Sequence, residues 1–329
     1  MSAINPRFDL LGIGNAIVDV LAPVEDSFIS HHDMQKGGMA LIDTETADRL
    51  YAAMPPGTES SGGSAGNTCA VAAMLGARVA YIGRVADDQL GQVFRHDIQA
   101  VGVHFPTKPL VGGAPTARCL IMVTPDGQRT MNTYLGACVT LGPDEIDADV
   151  VAASAVTYME GYLFDPPAAQ RAFLHAAELA HAAGRRVALS LSDAFCVHRH
   201  RAAFRALVRD HVDILFANET EITALYETNS WEEAAALAGS EVEIAVLTRG
   251  AEGSTIIAGA ERVAVAPVAT QVVDTTGAGD AYAAGFLAGF ARQLPLAECG
   301  TLASRAAALV ISQYGGRPPA AQLQAMARG

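Results

Sequence analysis

The chain has 329 residues, half of them hydrophobic and 17% charged, which supplies a sizeable core and argues against disorder. With 22 basic and 35 acidic residues the formal net charge is −13. That excludes a general binder of nucleic-acid backbones or anionic membranes, but not a small anionic ligand held at a local positive site.

No apolar run approaches bilayer length, and the N-terminal MSAINPRFDLLGIG lacks the basic and apolar segments of a signal peptide. Five cysteines, with no C-x-x-C pair, read as free thiols in a reducing compartment, so a cytoplasmic location is expected.

In chain order, short β-branched runs alternate with Ala/Leu-rich stretches. DLLGIG (9–14) reads as a strand; GIGNAI (12–17) lacks the third glycine of a dinucleotide fingerprint and opens no helix. NTCAVAAMLGA (67–77) is helical, RVAYIG (78–83) a strand, and Asp87-Asp88 cap the helix that follows. Then come the strand SAVTYME (154–160), a helix over 166–184, the strand RRVALSL (185–191), a helix over 200–211 and the strand VDILFA (212–217). ETEITALYE (219–227) is helical, WEEAAALAGSEVE a solvated helix, and EIAVLT (243–248) a strand.

Two paired runs, STIIA and RVAVA, precede a mostly helical C-terminal region. Apolar strands separated by amphipathic helices imply an α/β fold, a mostly parallel sheet covered on both faces. Residues 15–45 and 105–140 break the alternation. CLIMVTPDGQRTMNTYL (119–135) reads as a hairpin around a P-D-G turn, so a small β lid on one 1–329 domain is expected.

VVDTTGAGD, followed by the small-residue helix AYAAGFLAGFARQL, places Gly-Ala-Gly where the chain enters a helix. The first helical N–H groups lack intrahelical partners and carry the positive end of the macrodipole. Gly277, Ala278 and Gly279 can therefore hold an anion without a lysine. Only Lys36 and Lys108 exist, and there is no Gly-Lys-Ser/Thr, H-R-D or V-A-I-K, which excludes a Walker P-loop and a protein kinase. Asp280 has two readings on these residues alone: an acid at a helix start, or a base that takes a proton beside the anion hole. The histidine pairs, without acidic or cysteine partners at metal spacing, read as surface residues.

GGSAGNTCAVAAMLGARVAYIGRVADDQLGQVF (62–94) and DTTGAGDAYAAGFL (274–287) resemble the two signatures of the ribokinase-like (PfkB) carbohydrate kinase family, in the family's order. Further matches spread the resemblance over nearly the whole chain. It implies a ribokinase-like three-layer fold and transfer of the γ-phosphoryl of ATP to an alcohol. Asp280 would be the general base, with the amides of Gly277, Ala278 and Gly279 on the transferred group. Asn15, Asp19, Gly62, Gly63 and Asn67 would line the acceptor site.

ANETEI (217–222) resembles the family's N-x-x-E element, so Asn218 and Glu221 would organise Mg²⁺ through waters; the same residues also read as a capping box. VLTRGAEGS (246–254) resembles the nucleotide-binding turn and assigns Thr248, Arg249, Gly250 and Gly253 to ATP. Arg129 resembles a lid arginine that closes over the transferring phosphate; it also reads as an exposed hairpin charge. Asp274 and Thr276 match a monovalent-cation loop completed by carbonyls near Val310, Gln313 and Gly315. A residue that often completes it is Pro319 here, so K⁺ is carried as an open cofactor beside ATP and Mg²⁺.

LSLSDAF (189–195) and EGYLF (160–164) resemble stretches of adenosine-kinase-like members and put Phe195 and Phe164, with Tyr162 nearby, beside a purine. Both phenylalanines also read as packing residues. The expectation is a monomer or homodimer acting on adenosine, with another nucleoside or sugar as the alternative acceptor. A nucleoside or sugar sensor on the same fold is the non-enzymatic alternative.

Overall fold

The computed structural model describes residues 5–328. Its strands are β1 (Phe8–Ile13), β2 (Ile17–Pro23), β3 (Met39–Leu41), β4 (Thr58–Ser61), β5 (Val79–Ile82), β6 (Ala117–Val123) and β7 (Arg129–Tyr134). They continue as β8 (Ser154–Glu160), β9 (Arg186–Ser190), β10 (Ile214–Asn218), β11 (Ile244–Thr248), β12 (Ser254–Ala258) and β13 (Glu261–Val265). The α-helices are α1 (Asp26–His31), α2 (Thr44–Ala53), α3 (Ser64–Met74), α4 (Gln89–Ala100), α5 (Ala148–Ala152) and α6 (Pro167–Ala182). They are followed by α7 (Ala194–His211), α8 (Glu219–Tyr226), α9 (Trp231–Glu241), α10 (Ala278–Ala291), α11 (Leu296–Ile311) and α12 (Ala320–Arg328).

The main sheet runs β13-β12-β11-β10-β9-β8-β1-β5. From β5 to β11 every pairing is parallel, and β12 and β13 add an antiparallel edge. Successive residues of a strand face opposite sides, and the core obeys that rule. Leu10, Tyr81, Tyr158 and Phe216 pack with α3, α10 and α11, whereas Leu11, Ile82, Met159 and Leu215 pack with α6 to α9. Runs with no polar alternation are what a sheet buried on both faces requires. The small residues of α10 let it approach α11 closely: a Cβ on Gly285 would stand 2.7 Å from the Ala303 Cα.

A second sheet, β3-β7-β6-β2-β4, is built by residues outside the alternation. β6 and β7 form the antiparallel hairpin around Pro125-Asp126-Gly127. Both members also reach strands remote in sequence: β6 pairs in parallel with β2, and β7 with β3. β4 and α2, between residues 44 and 61, complete this sheet and its cover. Val18, Val20, Leu120 and Met122 continue the core on the α3 side.

Three local expectations are corrected. The helix read at 200–211 starts at Ala194, where the Asp193 side chain caps it, and kinks at His200 (φ −125°, ψ 24°). Residues 26–31, within a stretch read as non-helical, form α1. α9 is not solvated all round, because Trp231, Ala234, Ala235 and Ala238 are buried against the sheet.

Candidate active site

Asn15, Glu160, Asn218 and Thr248 lie at or just beyond the C-terminal ends of parallel strands, where loops are free to build a site. β1 passes through Gly14-Asn15 directly into β2, with no helix between, so GIGNAI is no dinucleotide fingerprint. Asn15 is 2% exposed; its Nδ2 donates to Glu160 Oε1 at 2.8 Å, and its Oδ1 has no partner among the described residues. The other Glu160 oxygen accepts from Ala65 N, in the first turn of α3, at 2.7 Å. Burial pushes the Glu160 carboxyl up to about 7, against the pull of those hydrogen bonds. Sequence reasoning missed Glu160, which looks like the last residue of an ordinary strand.

Gly62 and Gly63 turn β4 into α3. Gly63 has φ +79°, and a Cβ there would collide with the Asn15 carbonyl. A Cβ on Gly62 would collide with the Asp19 carboxylate, so the glycine pair makes room for Asp19. Asp19 is half-buried on β2, and lost hydration raises it to about 6, opposed by the positive charges of Arg317 and Arg129.

The start of α10 faces the start of α3. Gly277, at the N-cap, has φ +75°, and a Cβ would stand 2.7 Å from the Gly316 Cα. A Cβ on Gly279 would meet nothing within 4 Å, so the space over the first turn of α10 is open. Asp280 lies in that turn. Its Oδ1 accepts from Ser64 Oγ at 2.6 Å, and its Oδ2 from Asn67 Nδ2 at 3.4 Å. Asp280 is half-buried, and desolvation raises it to about 6 despite these bonds and the Arg317 charge. Ala278 N donates to Thr275 O at 3.2 Å, while open space and a reachable carboxylate of raised pKa meet at this helix end.

The loop before α10 is tied down by Asp274. Its Oδ1 accepts from Thr276 N at 3.0 Å and Thr276 Oγ1 at 2.7 Å, and its Oδ2 accepts from Gly315 N at 2.9 Å. Arg129 Nη1 pairs with the same Oδ2 at 2.7 Å, and its guanidinium lies over the Tyr314 ring, 5.3 Å from the centroid. Arg129 is therefore no exposed hairpin charge: it is 9% exposed, and its Nε and Nη2 lack partners among the described residues. A guanidinium already neutralises the Asp274 carboxylate, which leaves it less charge to offer a K⁺.

On the nucleotide side, Asn218 and Thr248 are neighbours across β10 and β11. Asn218 and Glu221 form a reciprocal capping box: Glu221 N donates to Asn218 Oδ1 at 2.9 Å, and Asn218 Nδ2 to Glu221 Oε1 at 2.6 Å. Burial raises Glu221 to about 7. No cluster of three or more His, Cys, Asp or Glu suited to a metal occurs among the described residues. The buried Glu221 carboxylate fits Mg²⁺ that arrives on phosphates and keeps its waters. Gly250 (φ +55°) and Gly253 (φ +87°) shape the turn after β11, and a Cβ on Gly253 would strike the Val265 carbonyl.

Two expected site residues lie elsewhere. Arg249 does not point a free charge at phosphates: it pairs with Glu219 (3.3 Å) and Glu252 (2.7 Å), over the Trp231 ring. Phe164 is core, 3% exposed and stacked on Phe204 with centroids 4.3 Å apart, because the turn after β8 points it down between α6 and α7. Phe195, by contrast, is 73% exposed at the start of α7. Tyr162, two residues before Phe164, has its hydroxyl pushed up chiefly by burial, and the charges of Asp193, Asp280 and Glu221 add to this. Lys36 pairs with Asp26 and Asp126 beside the hairpin turn.

Sequence reasoning also missed Arg317, in the GGRPP loop. It donates to Asn67 Oδ1 and Ser61 Oγ, and its only sequence signal is a lone cation in a Gly/Pro loop. No helix among the described residues is long and apolar enough to cross a membrane.

Comparison with known proteins agrees with this geometry. Over 98% of its length the chain is 55% identical to an adenosine kinase from Sinorhizobium meliloti, 99% of which is covered, with a TM-score of 0.89. A structure described as a probable sugar kinase from Rhizobium etli CFN 42 is 50% identical, with 98% of both chains covered and a TM-score of 0.89. The adenosine kinase of Saccharomyces cerevisiae is 28% identical, covering 95% of this chain and 98% of the yeast protein. Residues 39–323 match the profile described as pfkB family carbohydrate kinase. With a helix-start anion cradle, an adjacent carboxylate and this match over most of its length, the chain belongs to the PfkB family of carbohydrate kinases and is an ATP-dependent phosphotransferase.

Proposed function

We propose that the protein phosphorylates the primary hydroxyl of adenosine, giving AMP and ADP, with Asp280 as general base. The observation that carries this reading is the place of Asp280: in the first turn of α10, beside the open Gly279 cradle and within charge range of Asp19. Asp280 accepts the hydroxyl proton as the new O–P bond forms, and the bond between the γ-phosphorus and its bridging oxygen breaks to release ADP. The amides of Gly277, Ala278 and Gly279 receive the charge of the transferred group. Asp19 and the unpartnered Asn15 Oδ1 accept hydrogen bonds from ribose hydroxyls, while Phe195 and Tyr162 offer exposed faces to the purine. Mg²⁺ bound with ATP would neutralise phosphate charge, with Glu221 and Asn218 holding its waters. Arg129, buried at the edge of the second sheet with two free donors, serves the phosphates when the lid closes.

The test is ADP release measured over a panel of nucleosides and free sugars. Adenosine should give the highest kcat/KM. A free sugar outranking every nucleoside would overturn the acceptor assignment. Asp280→Asn should bind adenosine as the native protein does and lose about a hundredfold or more in turnover; native turnover in that variant would remove the base.

A further inference from the structure

The segment before α12 places Arg317 against Asn67, one of the residues assigned to the acceptor site, and through Asn67 it reaches Asp280. The side chain is 14% exposed. Nε donates to Asn67 Oδ1 at 2.8 Å, and Nη1 donates to Ser61 Oγ at 2.5 Å and lies 3.7 Å from Asp97 Oδ2. Ser61 is itself fixed, since its N and Oγ both donate to Asp97 Oδ2 at 2.7 and 2.6 Å. Gly66 packs beside the guanidinium, where a Cβ would lie in ordinary contact with Arg317 Nη2 at 3.5 Å. The guanidinium therefore ties the end of β4, helix α3 and helix α4 to the loop that packs on Gly277.

A primary amide can present oxygen or nitrogen to either side, and Asn67 would otherwise be free to turn over. A guanidinium has donors only. Its contact admits only the Asn67 oxygen, which turns Nδ2 toward Asp280, where it donates to Oδ2 at 3.4 Å. With the amide reversed, Asn67 would set an oxygen against the Asp280 carboxylate and a donor against the arginine, and both contacts would be repulsive. We propose that Arg317 is a positioning residue of the phosphotransfer site: it locks the Asn67 amide so that Asn67 donates to the general base and holds it aimed at the acceptor hydroxyl. The proposal rests on the reading of Asp280 as that base.

The same contact brings a fixed positive charge near a base crowded by anions. The titratable groups that face Asp280 are Asp19 from β2, Glu160 and Tyr158 from β8, Tyr162 after it, and Arg317. Arg317 is the one cation among these, so its loss also makes Asp280 harder to ionise.

The experiment compares Arg317→Met, Arg317→Lys, Asn67→Asp, Asn67→Ala and Arg317→Met combined with Asn67→Ala. It reads kcat, the KM for each substrate, and the Asp280 carboxyl titration by ¹³C NMR of the protein without substrates. Arg317→Met should lower kcat about tenfold or more, with the KM for ATP nearly unchanged, and raise the Asp280 titration midpoint by about one pH unit. Lysine keeps the charge but not the fork, so Arg317→Lys should restore the midpoint and part of kcat. At pH 8, above the Asp280 midpoint, the methionine substitution should cost little more kcat in the Asn67→Ala background, because the link it breaks is already gone.

Asn67→Asp keeps an acceptor for Arg317 and removes the donor to Asp280. It should lower kcat and raise the midpoint while Arg317 keeps its partner, so the link is tested even where Arg317→Met does not fold. Additive kcat losses in the double variant, or an unchanged Asp280 midpoint in Asn67→Asp, would overturn the proposal. Failure of the base assignment is separate: it would appear as native turnover in Asp280→Asn, with the NMR titrations still reporting the Arg317–Asn67–Asp280 link.

Discussion

Asp280 carries opposite demands, and its neighbours balance them. Burial raises its pKa to about 6, while Ser64, Asn67 and Arg317 hold it down. A base must be ionised to act, so kcat/KM should fall as pH drops below about 6, measured from pH 5 to 8 with the ADP-release assay. The cost appears in stability. The folded pKa lies above the ordinary 3.8, so between pH 3.8 and about 6 the native state holds the proton more tightly than the unfolded chain. Stability gained from protonation is therefore lost as pH rises through that window. Asp280→Asn removes the charge and should raise the melting temperature at pH 7 while turnover collapses, a trade common at active sites. A lower melting temperature would mean that the Ser64 and Asn67 bonds stabilise the fold more than desolvation strains it. The two phenylalanines separate just as cleanly. Phe164→Ala should cost about 3–5 kcal/mol of stability as a core cavity, read by denaturant titration. Phe195→Ala should leave stability alone and raise the KM for the nucleoside.

Among the elements, α10 and α3 matter because their N-termini converge on one carboxylate. That convergence depends on two left-handed glycines, Gly63 and Gly277, each pressed against backbone where a Cβ would collide. Gly277→Ala adds both a strained φ and a clash with Gly316, so it should lower kcat and the melting temperature together. Gly279→Ala meets no protein atom and has no positive φ, so it should fold normally and raise the KM for ATP by placing a methyl in the cradle. Equal effects of the two substitutions on stability would contradict this division. The motif DTTGAGD made the helix start legible in the sequence, because Gly-rich turns before small-residue helices have few other uses. The bond from Ser64 could not be read there, since 216 residues separate it from Asp280.

For the whole molecule, the second sheet carries Asp19 and Arg129, and the proposed site draws its other residues from the main sheet and its helices. Arg129 spans the two by pairing with Asp274, and this sets the expectation for cations. Replacing K⁺ with choline in the assay should leave turnover unchanged, because a guanidinium already balances Asp274. A strong K⁺ requirement would show that Arg129 leaves Asp274 during turnover.

The alternation of strands and helices, the parallel sheet, the hairpin at 119–135 and the helix-start loop at 277–280 were all legible along the chain. Each is written in local periodicity or in glycines whose backbone role is local. Other features arise only when distant segments pack together. The short strand β4 pairs with β2, about 40 residues earlier in the chain, and its place depends on that partner. Phe164 and Phe195 read alike as aromatic residues near strand ends, and only packing sends one into the core and leaves the other exposed. Arg249 and Arg317 are both lone arginines in glycine-rich turns. The first meets two carboxylates, one of them three residues away, and the second meets Asn67 across 250 residues, because charge pairing depends on distance in space rather than along the chain.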